Sequence, residues 1–256
     1  MKKYSSYTII LFLMLLLLNN ITAQHRLNIM TYNIHHGNDD KEVNQLRAIA
    51  DLILKSGADI VGLQEVDSVC IRSGRVDQAK ALAELTGMHY AYVRHFAFEG
   101  GSYGLALLSK YPISKLTNHR LPIASTIPNE TRALLTAEVQ VSPKKKWLVG
   151  VAHFDYRDAD SRINQAKQTT SIYKKSGLPG ILLGDMNAEP DSEPIAILSK
   201  IFQDTQPSDY LTYPANSPIK KIDYIFVDIR QKFRILEKSV LPVNFSDHRP
   251  AITIIE

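Results

Sequence analysis

The stretch LLGDMNAEP, Leu182–Pro190, decides how the rest of the chain is read. An apolar run from Gly180 to Leu183 ends here, and Asp185 and Asn187 follow at once. A short apolar run bounded by turn formers reads as a strand covered on both faces. Its polar end then lies on the rim of a sheet. The same arrangement recurs outward in both directions. Asn33 ends Arg26–Ile34 (RLNIMTYNI), and Glu65 closes Asp59–Val66 (DIVGLQEV). His153 closes VGVAH within Lys146–Phe154, Asp223 opens Ile222–Asp228, and Asp247 and His248 precede Ala251–Ile255. Taken singly, each has an ordinary reading: a turn-forming Asn or Asp, an edge Glu, a hydrogen-bonded structural His. Taken together, polar strand ends converging on one rim make a site.

Further strands are expected at Tyr103–Ser109, Ala133–Val141 and Phe233–Leu241. Helices are expected at Asp40–Lys55, Arg75–Thr86 and Ala159–Lys175, with a short fourth at Glu193–Ile201. In the first, Val43, Leu46, Ile49, Ala50 and Ile53 recur at helical spacing. Asp39 and Glu42 have the spacing of a capping box there, and Gly57 closes the far end. Two packed sheets with helices on their outer faces fit this order. A doubly wound parallel sheet is the alternative, weakened by the turn-length gaps between the strands from Tyr103 to Phe154.

The chain has 256 residues, 45% of them apolar and 22% charged, which excludes disordered and fibrous classes. No period of 20–50 residues repeats, so solenoids and propellers are excluded. The start is different in kind. Lys2 and Lys3 precede the unbroken run Ile9–Leu18, and Thr22-Ala23 stands before Gln24. This pattern predicts a signal peptide over residues 1–23, with export to the periplasm or beyond. An uncleaved anchor is the alternative, but a run of this length falls short of the roughly 20 residues a membrane span needs. One domain is then expected over residues 24–256. The formal charge of +4 falls to +2 without Lys2 and Lys3, which does not advertise nucleic-acid binding. Cys70 is the only cysteine, so no internal disulfide forms, and it is expected to be buried and inert.

Glu65, Asp247 and the Asn33 amide are hard oxygen ligands, suited to Mg²⁺, or to Mn²⁺ or Ca²⁺, rather than to structural zinc. The other histidines, His35 and His36 among them, show no zinc spacing, and no H-E-x-x-H occurs. Two histidines and several carboxylates supply proton transfer near neutral pH. The inventory suits hydrolysis of a phosphate ester.

At these residues the chain resembles the endonuclease/exonuclease/phosphatase superfamily, the DNase I-like phosphohydrolases. The resemblance is carried in family order by TYNI (Thr31–Ile34), LQEVD (Leu63–Asp67), YGLALLSKYPI (Tyr103–Ile113) and AHFD (Ala152–Asp155). It continues through LLGDMNAEP, KIDYIFV (Lys221–Val227) and SDHRPAI (Ser246–Ile252). It implies a four-layer α/β sandwich with two central mixed sheets. It implies metal-side roles for Asn33, Glu65 and Asp247, and phosphate and water positioning by Asp185 and Asn187. It implies an Asp–His pair at Asp223 and His248, and a second histidine at His153. Asp185 and the Asp223–His248 pair are both candidates for the base. The abasic-site repair branch has Asp two positions after the Asn and Tyr in place of the second histidine. Here these are His35 and His153, which argues against DNA repair.

The expected activity is metal-dependent hydrolysis of a phosphodiester, with DNA or RNA as first candidate substrate and a phospholipid head group or other small phosphodiester as the alternative. A binding protein that keeps the fold without turnover is a more remote one. Substrate choice is expected from rim loops at Arg94–Ser102, Asn118–Arg132 and Thr205–Ile219, with Phe96 and Phe98 as stacking groups and Arg132 on phosphate. No obligate protein partner is evident, and a monomer is expected.

Overall fold

The apolar runs pair into two six-stranded sheets, and the helices fall outside them. The computed structural model describes residues 26–124 and 131–256. The expected signal peptide lies outside the described residues, as does the middle of the expected rim loop Asn118–Arg132. In chain order the elements are β1 (Leu27–Asn33), α1 (Leu46–Ser56), β2 (Ile60–Ser68), α2 (Gln78–Thr86), β3 (His89–Phe98), β4 (Gly101–Ser109), β5 (Ile113–Leu121) and β6 (Arg132–Ser142). There follow β7 (Lys145–His153), α3 (Ala159–Lys175), β8 (Gly180–Asp185), α4 (Glu193–Leu198), β9 (Phe202–Asp204), β10 (Asp223–Asp228), β11 (Ile235–Val240) and β12 (Ala251–Ile255).

The first sheet has the order β11-β12-β1-β2-β4-β3, and the second β5-β6-β7-β8-β10-β9. Each holds one parallel pair, β1–β2 and β7–β8, bridged by α1 and α3, and the remaining pairs are antiparallel. Ile29, Ile60, Leu105 and Leu107 of the first sheet meet Leu135, Val151, Leu183 and Ile225 of the second in a dry central layer. On the outer face of the first sheet, Met30, Leu63 and Leu108 pack under Ile49 and Ile53 of α1 and Leu82 of α2. On the outer face of the second, Leu134, Leu182 and Phe226 pack under Ala166 and Tyr173 of α3 and Leu198 of α4. Strands that are apolar on both faces are thus accounted for: each face has its own core. The result is the four-layer sandwich, not the single doubly wound sheet.

Gly62 sets the spacing of the central layer. A Cβ there would lie 2.8 Å from the Leu183 Cβ. Gly184, at φ +149°, brings its strand so close that a Cβ would lie 2.0 Å from the Ala152 carbonyl oxygen. Only glycine fits that position, immediately before Asp185.

The expected boundaries need several corrections. The first helix starts at Leu46, not Asp40. Asp39 accepts from the Lys41 and Val43 amides and from Gln45 Nε2, so it caps a turn before the helix. Glu42 is at φ +59° and bonds His36, so Asp39 and Glu42 form no capping box. The second helix starts at Gln78, capped by the Asp77 side chain on the Lys80 amide. Three strands had no expectation. β3 overlaps the expected rim loop Arg94–Ser102, which is instead the β3–β4 hairpin. β5 is a polar edge strand with little apolar signal, and edges are kept polar to avoid further pairing. β9 has three residues only.

Candidate active site

Three in-register strands build one half of the site. His153 ends β7, Asp185 ends β8 and Asp223 begins β10; His153 is the backbone partner of Asp185, and Asp185 that of Asp223. The alternation of side chains along strands therefore brings all three to one edge of the second sheet. His153 Nε2 lies 3.6 Å from Asp185 Oδ2. Asn187 follows in a left-handed turn, φ +45°; its amide donates to Asp185 Oδ1 at 2.8 Å and its Nδ2 to the Phe154 carbonyl at 3.1 Å.

The first sheet supplies the other half from irregular backbone. Glu65 sits at φ +59°, where the pairing of β2 with β4 slips between Leu63 and Val66. This bulge turns its carboxylate into the cleft. Asn33, at the end of β1, donates from Nδ2 to Glu65 Oε1 at 3.1 Å and to Asp185 Oδ2 at 3.2 Å. Its Oδ1 accepts from the His35 amide at 3.1 Å. Asn33 is thus a bridge between the two sheets' acids. Ser246, Asp247 and His248 lie on the loop into β12. Ser246 Oγ donates to the Asn33 carbonyl at 2.7 Å and accepts from the His248 amide at 3.2 Å, which pins that loop to β1.

His248 crosses the gap. Its Nδ1 is 2.8 Å from Asp223 Oδ2, and its Nε2 is 3.7 Å from Asp185 Oδ2. The Tyr213 ring lies against it at 4.8 Å between centroids. Burial alone would lower the histidine pKa, but the Asp223 carboxylate, helped by Asp185 and Asp247, overrides it and holds it at about 10. Burial, and then the Asp223 charge, push the Asp185 carboxyl up to about 7. Burial, and then Arg132, push the His153 imidazolium well below its usual range. The two histidines are therefore pushed in opposite directions, His248 toward the cation and His153 toward the neutral ring. Arg132 Nη1 lies 3.4 Å from His153 Nδ1, which fixes the ring.

These residues form the inner part of a cleft of about 960 Å³. Glu65, Arg132, His153, Asp185, Asn187, Asp247 and His248 all line it, so the structure gathers them as the sequence implied. Asp223 stays behind His248, fully buried, and Asn33 lies behind Glu65 and Asp185. Sequence reasoning missed the outer wall. Arg162 and Ile163 of α3, Glu193 of α4, and Tyr156, Glu189 and Lys220 close it on one side. For Arg162 the only sequence signal was the polarity of α3, and Glu189 stood unremarked within LLGDMNAEP. Arg162 is set by helix phase, and Tyr156 by the turn before α3.

Donor atoms of Asp185, Asp223 and His248 lie within 4.8 Å of one another, a group able to hold an ion. Glu65 and Asp247 add two further carboxylates to the cleft. Carboxylates gathered at a half-buried site are costly unless a cation balances them. A divalent cation suits an oxygen-rich set of this kind.

A four-layer sandwich with such a carboxylate–imidazole site between its sheets defines the DNase I-like class of phosphoesterases. The sequence profile of the Endonuclease/Exonuclease/phosphatase family matches residues 30–248, and the chain belongs to that family. It is 26% identical over 252 residues to the uncharacterized protein YbhP of Escherichia coli K12, spanning 90% of this chain and 96% of YbhP. It is 27% identical over 198 residues to protein cwh43 of Schizosaccharomyces pombe, covering 75% of this chain but only 20% of that much longer protein. Among solved structures, the mannosyl-6-phosphatase Bt3783 of Bacteroides thetaiotaomicron superposes with a TM-score of 0.72 at 19% identity, over 90% of this chain and 99% of that one.

Proposed function

We propose that the protein hydrolyses phosphate esters of small polyhydroxylated molecules with the help of a divalent metal, Mg²⁺ first. The observation that carries this reading is the wall of the cleft. Arg132, Arg162 and Lys220 supply cations near the acid–imidazole group, and Glu189 and Glu193 stand among them as acceptors for hydroxyl groups. An extended polyanion laid across this wall would meet those two carboxylates, which favours a compact substrate over a nucleic-acid strand. The groups expected to stack on bases support the same choice. Phe96 packs on Tyr103 at 5.4 Å, and Arg72 covers Phe98 at 4.7 Å, so both rings already have partners. The likeness to a mannosyl-6-phosphatase agrees with a small substrate.

In this reading Asp185, ionised, takes a proton from water held beside Asn187. The His248 imidazolium, oriented by Asp223 through Nδ1, presents its Nε2 proton to phosphoryl or leaving-group oxygen. Neutral His153, held by Arg132, donates or accepts one hydrogen bond without adding charge. A metal held by Glu65, Asp185 and Asp247 would neutralise charge that develops on the phosphoryl oxygens.

The test is a panel of hexose phosphates, polyol phosphodiesters and supercoiled plasmid, each with Mg²⁺, using Asp185→Asn as the contamination control. Turnover of the small esters alone supports the proposal. Nicking of plasmid by the wild type but not the variant would overturn it in favour of a nuclease. We further propose that the protein acts outside the cytoplasm, a reading supported by Lys2, Lys3 and the apolar run Ile9–Leu18. Mass spectrometry of the exported protein would show an N-terminus at Gln24; an intact Met1 would reject cleavage.

A further inference from the structure

A second cluster of ligand-type side chains lies just beyond β1, in the turn His35–Gly37 and the segment after it. One donor atom each from His35, His36 and Glu42 lies within 4.8 Å of the others. The sequence hid this group, because adjacent histidines and a glutamate six residues on match no zinc spacing. Backbone conformation brings them together. His35, His36 and Glu42 are at φ +44°, +45° and +59°, three non-glycine residues in left-handed conformations. Strain of this kind persists where the surroundings demand it, and ligand clamps are such places.

The geometry is close to that of a coordination shell. His36 Nε2 and Glu42 Oε2 are 3.0 Å apart. Two ligands of a tetrahedral zinc, at about 2.0–2.2 Å from the ion, stand roughly 3.3–3.6 Å apart, so a small outward shift of the pair would admit the ion. The His35 and His36 rings lie 4.4 Å apart between centroids, tilted by 55°, so a third corner is near. Two further contacts steady the group. Asn38 Nδ2 donates to Glu42 Oε2 at 3.0 Å, and Gln78 Nε2 donates to the His36 carbonyl at 2.6 Å. His36 is 95% buried, and the Nδ1 atoms of both histidines are buried without a hydrogen-bond partner. Glu42 faces solvent, which gives an ion a way in and leaves its fourth position to water.

We propose that His35, His36 and Glu42 form a second metal site, for a borderline divalent ion such as Zn²⁺. Two imidazoles and one carboxylate select such an ion over Mg²⁺, whereas the all-oxygen acids of the cleft prefer Mg²⁺. The site is structural in its effect. The His35 amide donates to Asn33 Oδ1, so an ion that fixes the turn also fixes the residue bridging Glu65 and Asp185.

The test is zinc binding by the purified protein with Mg²⁺ in large excess, read by competition with a chromogenic chelator, and Co²⁺ loading read by visible absorption. The wild type should retain one zinc equivalent and give cobalt bands of four- or five-coordinate intensity. Glu42→Gln, a change at an exposed side chain, should weaken zinc at least about tenfold and alter the cobalt spectrum while melting as the wild type does. His35→Ala should do the same. Glu65→Gln should leave this equivalent in place. No retained zinc, an unchanged affinity in Glu42→Gln, or loss of the equivalent in Glu65→Gln would each overturn the proposal.

Discussion

The two sheets contribute to one site by opposite means. In the second sheet, His153, Asp185 and Asp223 are successive in-register partners on β7, β8 and β10, so regular pairing alone places them. In the first sheet, Glu65 sits on a bulge and Asp247 and His248 on the loop before β12, so departures from regular pairing place them. Regular pairing is rigid, because a slip would turn each strand's core side chains outward. Bulges and loops adjust more cheaply. The half carrying His153, Asp185 and Asp223 is therefore the fixed reference, and the half carrying Glu65, Asp247 and His248 is the one able to adapt to ion and substrate.

The largest effect is expected on the fixed side. Asp185→Asn should lower the rate on the substrate found in the panel by about 10³-fold without lowering the melting temperature. A small loss would move the base to the Asp223–His248 pair and make Asp185 an orienting group. A second test reads the ion pair that joins the halves. Its stabilisation is full below the free-histidine pKa of about 6.5, and is lost as pH rises through about 10. In Asp223→Asn the support of His248 is gone, and burial should drive the pKa down. By NMR the imidazolium should then disappear below pH 8, where the wild type still holds it. An unchanged titration would mean that Asp185 and Asp247 hold the charge.

Smaller effects should mark the packing and the adaptable side. Gly62→Ala pushes a methyl against Leu183 where the sheets meet. Overpacking of this kind costs about 1–3 kcal/mol, which a urea melt resolves; no change would show that the sheets can slide apart. Glu65→Gln should raise the Mg²⁺ concentration needed for half-maximal rate by about tenfold or more, with the plateau less affected. A plateau that collapses instead would put Glu65 on the fixed side.

The rim residues were legible in the sequence because a polar side chain ending an apolar strand is visible without its neighbours. Asn33, Glu65, His153 and Asp185 all stand out in this way, and Asp247 and His248 stand just before the last apolar run. What was hidden depends on partners far along the chain. Tyr156 and Arg162 become wall residues only once α3 crosses from β7 to β8. Phe96 and Phe98 looked like free aromatics, because the hairpin that sets them beside Tyr103 and Arg72 has no strong local signal. Glu42 looked like a cap, because its left-handed backbone cannot be read from residue type.

β1 lies between β2 and β12, so the first strand of the fold is completed by the last. His248 arrives with that same final segment. A chain cut before residue 246 thus lacks an inner strand of the first sheet and the His248 imidazole together. What remains is an open sheet edge above an uncovered apolar face, prone to proteolysis and aggregation rather than a slightly weakened fold. Truncations before residue 246 should therefore be as damaging as much earlier ones.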